Sequence, residues 1–83
     1  MQPGDPRADP TIVDLIELAG LWVAAGDWPA LGRTLARLNE QLEQRFPNEA
    51  EFAWRFRELQ RVIDSDPLNV EEIRRSYRQA TFG

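Results

Sequence analysis

The sequence has no cysteine, no histidine and no lysine. Without histidine it lacks the side chain that moves protons near neutral pH, and without cysteine it lacks a thiolate nucleophile. The two together remove the commonest ligands of zinc and copper. No disulfide framework is available either, which fits a reducing, cytoplasmic setting. The longest run of apolar residues and glycine, Leu18 to Gly26, is far too short to cross a bilayer, and no membrane association is expected. No basic, apolar signal-like segment opens the chain, so secretion through a cleaved signal is not expected.

What is present is a chain of 83 residues with a net charge of -4, whose basic positions are all arginine. The charge is uneven. Residues 1–27 carry Asp5, Asp9, Asp14, Glu17 and Asp27 against Arg7 alone, whereas arginines and acids balance over residues 28–83. An acidic chain has no generic attraction to a phosphate backbone, so nucleic acid is not an expected partner. A single domain of this size leaves much of its surface wet, so every large apolar residue bears on stability.

Caps, apolar stripes and breakers agree on four helices near 10–25, 28–45, 49–63 and 70–80. Asp9 caps the first, with Pro10 at its opening position, and Gly26 closes it. Its only acidic side chains are Asp14 and Glu17, so it reads as a helix apolar nearly all round, covered on several sides and central to the fold. Ala19 and Gly20 would let a neighbouring backbone come close. The second carries Trp28, Leu31, Leu35, Leu38, Leu42 and Phe46 three or four apart, a narrow seam opposite Arg33, Arg37, Glu40, Gln41 and Gln44. Pro47 ends it. Asn48 with Glu51 reads as a capping box for the third helix, whose core stripe is Phe52, Phe56, Leu59 and Ile63. After the break at Asp64–Pro67, Asn69 with Glu72 reads as a second capping box, with Leu68 and Ile73 placed for a hydrophobic staple. Val70, Ile73, Tyr77 and Ala80 form the fourth stripe. The expected fold is an all-α compact bundle of four antiparallel helices over residues 10–80, with a flexible acidic, proline-containing tail at 1–9 and a frayed end at 81–83.

Several positions in the first helical pair, namely Leu18 with Ala19, Trp22, and the run Gly26, Asp27 and Trp28, have the spacing of a leucine, a small residue, an aromatic and a Gly-Asp-aromatic turn. In this the pair resembles a tetratricopeptide-repeat hairpin. The pattern departs at Leu31 and Leu38, where such repeats carry small residues, and at Glu43, where they carry a proline; Pro47 arrives about one turn later. Residues 60–83 hold no second Gly-Asp-aromatic turn. The resemblance covers about half the chain, and it implies stacked helix pairs and binding of a peptide or protein partner.

Chemistry is poorly provided for. Asp14 with Glu17, and Glu40 with Glu43, are isolated carboxylate pairs with no histidine or third acid in register, so neither catalysis, a metal nor a cofactor is expected. The expected function is that of a non-enzymatic protein-binding module or accessory subunit. Trp54 lies about 200° from Phe52 on the third helix, in line with Arg57 and Arg61, and tryptophan and arginine are the types that most often dominate interfaces. Trp54, Arg57, Arg61, Arg74, Arg75 and Arg78 are therefore the candidate partner-binding residues, unless the fourth helix or the tail covers Trp54. Two other readings stand beside this one. An acidic inhibitor or antitoxin-like protein would present Asp5, Asp9, Asp14 and Glu17 to a basic partner. A self-assembling scaffold or homodimer would cover the wide apolar surface of the first helix with another copy.

Overall fold

A computed structural model of the chain describes residues 5–66 and 68–82, apart from the side chain of residue 82. Expectations placed on residues 1–4, on Pro67 and on Gly83 lie outside the described residues. The architecture is the all-α bundle expected, with helices α1 (Pro10–Ala25), α2 (Trp28–Arg45), α3 (Ala50–Ser65) and α4 (Val70–Phe82). Among the described residues there is no strand. Helices adjacent in sequence pack broadly against one another, and α4 returns to touch α1 over a smaller area. With links of two to four residues between them, successive helices must reverse direction.

The boundaries follow from local chemistry. Asp9 accepts a hydrogen bond from the Ile12 N–H at 3.2 Å and opens α1. Gly26, at φ 71°, takes the left-handed conformation that ends it. Asp27 then accepts from the Ala30 N–H at 3.2 Å and opens α2 with only two residues between the helices. Phe46, restricted by the following proline, leaves the helical region at φ -132°. The start of α3 differs from expectation. The Glu49 N–H donates to the Phe46 carbonyl at 3.0 Å, closing a turn with Pro47 and Asn48 at its tip, so Glu49 occupies the cap position and no side chain caps the helix. At α4, Asn69 accepts from the Glu72 N–H at 3.2 Å as expected. The staple does not form: the Asn69 N–H bonds the Asp66 carbonyl, leaving Leu68 at the turn tip and 89% exposed while Ile73 is fully buried.

Burial is not centred on the first helix. Seven α2 residues are buried against four of α1. The reason lies in the packing order: α2 is sandwiched between α1 and α3, whereas α1 has one broad neighbour and leaves Leu18 and Leu21 exposed. Leu31, Leu35, Leu38 and Leu42 are wholly buried, and the α3 stripe of Phe52, Phe56, Leu59 and Ile63 closes on them. Phe52 and Phe56 meet edge to face at 5.2 Å. Two polar contacts thread the same layer: the Trp22 indole N–H donates to Thr34 Oγ1 at 3.0 Å, and Asn39 donates to Gln60 Oε1 at 3.1 Å.

The segment before α1, expected as a flexible tail, forms a 3-10 turn at Pro6–Ala8 with Pro6 buried. Arg7 lies over the Phe52 ring at 4.7 Å. Arg45 at the end of α2 donates to both Asp9 carboxylate oxygens, at 3.2 and 2.6 Å. At the expected frayed end, helix continues to Phe82.

Gly20 admits a side chain rather than a backbone. A Cβ there would stand 2.5 Å from the Tyr77 hydroxyl, which also donates to the Ile16 carbonyl at 3.4 Å. Burial first, and then the charge of Glu17, push the Tyr77 phenol above its ordinary value. At Asp9, burial alone would raise the carboxyl, but the Ile12 N–H and the Arg45 guanidinium outweigh it and hold it below the usual range.

In urea titrations Leu38→Ala is expected to cost about 2 to 5 kcal/mol by transfer and cavity effects, while Leu21→Ala stays within about 0.5 kcal/mol. Gly20→Ala, which stabilises an open helical site by up to about 1 kcal/mol, is destabilising here, and the gain returns in a Tyr77→Phe background. Stability is nearly flat from about pH 6 to about pH 9, because the sequence has neither histidine nor cysteine, whose ordinary values lie in that range. Below that range it falls as Asp9, whose folded value is depressed, takes up its proton. Above about pH 10 it falls as the unfolded chain gives up the tyrosine proton that the folded chain retains, and Tyr77→Phe removes that alkaline component.

Candidate functional site

The α3 stripe that faces α2 turns residue 54 outward, and Trp54 is 60% exposed. Neither α4 nor the described part of the amino-terminal segment buries it. Beside it runs an open groove of about 460 Å³ between α3 and α4. Arg55, Glu58 and Val62 line the α3 side, Glu72, Ser76 and Gln79 line the α4 side, and Trp54 and Arg61 also border it. An exposed indole next to a partly apolar cleft is the kind of surface that anchors a protein partner.

The electrostatics of the groove are largely settled within it. Arg61 donates to both oxygens of Glu58, at 2.8 and 3.1 Å, in a fork that holds the Glu58 carboxyl below its ordinary value and raises the guanidinium above its own. Arg75 lies 3.5 Å from Glu72. Arg55 is half-buried in the groove wall and has no ion-pair partner among the described residues. The groove thus offers one large aromatic surface and one uncompensated cation.

Of the six expected partner-binding residues, Trp54 and Arg61 come together at this groove. Arg57 does not. At about 100° per residue it falls on the other flank of Trp54, and it pairs instead with Glu43 of α2 at 3.7 Å. Arg74, Arg75 and Arg78 are exposed but outside the groove lining, because α4 turns Glu72, Ser76 and Gln79 toward α3. Arg55 was missed in the sequence, where it sits between the solvent side of α3 and the core stripe; only its position one turn before Glu58 and two turns before Val62 marks the groove side.

The four candidate acids divide in the same way. Asp5 accepts from the Arg7 N–H at 2.9 Å and caps the 3-10 turn, and Asp9 caps α1 and holds Arg45. Asp14 and Glu17 are exposed on α1. Among the described residues no three acids converge on a point where a metal ion would sit, and no helix is long and apolar enough to cross a membrane.

Compared with protein-family models, with curated proteins and with solved structures, the chain matches none.

Proposed function

We propose that this chain is a non-enzymatic protein-binding module or accessory subunit that engages a protein partner through the α3–α4 groove, with Trp54 as anchor. The observation that carries the reading is Trp54 at 60% exposure beside a groove whose wall holds Arg55, which has no ion-pair partner among the described residues. A small domain gains stability from burying its largest side chains, so a tryptophan left outside costs it core area that a partner would use. Arg55 adds a preference for a segment that brings a carboxylate beside an apolar side chain. Lack of cysteine is in keeping with a cytoplasmic setting, and the balanced charge of residues 28–83 gives no general pull toward nucleic acid. The alternative of an acidic inhibitor is weakened because Asp5 and Asp9 are engaged as caps and ion-pair partners.

The test takes a partner recovered by affinity capture from the native host and measures two quantities on Trp54→Ala. Folding stability changes by less than about 1 kcal/mol, while partner affinity falls by about 2 kcal/mol, near thirtyfold. Raising the salt concentration weakens the parent complex only modestly, whereas an acid-led complex would lose affinity steeply. Unchanged affinity, or a strongly destabilised variant, would overturn the assignment.

A further inference from the structure

The face opposite in character to the Trp54 groove is formed by α1 and α2. Leu18 and Leu21, 37% and 64% exposed, stand on the outward side of α1. Between the two helices runs a groove of about 380 Å³ with Leu15, Leu18 and Trp22 in its wall on one side and Arg33 and Arg37 on the other. A shallower continuation brings Asp14 beside Arg37 and Gln41. Arg33, Arg37 and Asp14 are all exposed, and none has an ion-pair partner among the described residues.

The order of these groups along the groove decides what fits. Because α2 runs back along α1, Arg33 lies at the Trp22 end and Asp14 at the far end, with Leu18 between them. A wholly acidic partner would meet Asp14, and a wholly basic one would meet Arg33 and Arg37. A fitting surface must carry an apolar centre with a base opposite Asp14 and an acid opposite Arg33. A two-fold rotation about an axis through Leu18 generates that surface from the face itself, which is the requirement for an isologous contact.

We propose that the α1–α2 face is a docking surface for a second copy of this chain, with the two Leu18 side chains at the centre and Asp14 of each copy against Arg33 of the other. A helix of sixteen residues runs about 24 Å, and two adjacent helices span about 20 Å, so the contact falls at the small end of stable interfaces. This contact is separate from the Trp54 groove and stands or falls independently of it.

The test is sedimentation equilibrium of the whole chain from about 1 μM to about 1 mM, with circular dichroism and urea unfolding confirming that each variant is folded. The parent moves toward twice its 9.6 kDa mass. Asp14→Arg and Arg33→Asp, each placing like charges opposite one another, weaken dimerisation at least tenfold apiece. An equimolar mixture of the two variants restores a dimer. In the mixed pair the reversed position 14 of one chain faces the reversed position 33 of the other, and the second contact keeps its native Asp14 and Arg33, so both contacts are again opposite in sign. Trp54→Ala leaves the equilibrium unchanged. A monomer throughout the range, a dimer indifferent to both reversals, a mixture that fails to recover, or a dimer lost with Trp54→Ala would each overturn the proposal.

Discussion

Four leucines on one side of α2, at 31, 35, 38 and 42, are the contact on which the rest of the bundle depends. Each is wholly buried, and together they occupy the layer between α1 and α3. Their spacing of three and four residues keeps one face of α2 continuously apolar, so both neighbours pack along the same seam. The α3 aromatics close one side, and Ile12, Ala19 and Val23 close the other. α4 is held less broadly, by α3 and by the fit of Tyr77 against Gly20. With a single seam for a core, the outer surfaces of α1 and α3 have nothing left among the described residues to cover them. The exposure of Leu21 and Trp54 is a consequence of that economy.

The core was legible because it is written in spacing. Phe52, Phe56, Leu59 and Ile63 mark a face whatever their neighbours are, and Gly26 with Asp27 marks a reversal through backbone conformation and a side-chain cap. Centrality was not legible. The apolar breadth of α1 suggested a helix enclosed on several sides, but enclosure depends on how many neighbours a helix has, which no local pattern states. The cap at Asn48 failed for a related reason: Pro47 permits a turn that leaves Asn48 one residue short of the cap position, which Glu49 takes. The site was half legible. Trp54 and Arg61 follow from helical angle alone, while Arg55 and the sorting of α4's arginines away from the groove depend on the rotation of α4 against α3.

Electrostatics divides the surface into two regions of different character. Around Trp54 the charges are mostly paired within the chain, by Glu58 with Arg61 and Glu72 with Arg75, which leaves the indole and Arg55 as the groups with unspent capacity. Such a surface favours an apolar anchor over long-range attraction. Along the α1–α2 groove Asp14, Arg33 and Arg37 have no ion-pair partner among the described residues and are of both signs, disposed about exposed leucines. The absence of histidine, cysteine and lysine makes these contacts insensitive to pH over the middle of the scale, since no side chain changes charge there.

A partner-binding role for the α3–α4 groove requires Trp54 to be a free surface in the intact chain while Trp22 is tied into the bundle. Hydrogen exchange of the three indole N–H groups, followed by NMR on the dilute chain, reads this directly. The Trp54 indole is expected to exchange at nearly the rate of free indole, and the Trp22 indole, bonded to Thr34, to be the slowest. A Trp54 indole protected as strongly as that of Trp22 would refute the exposed anchor.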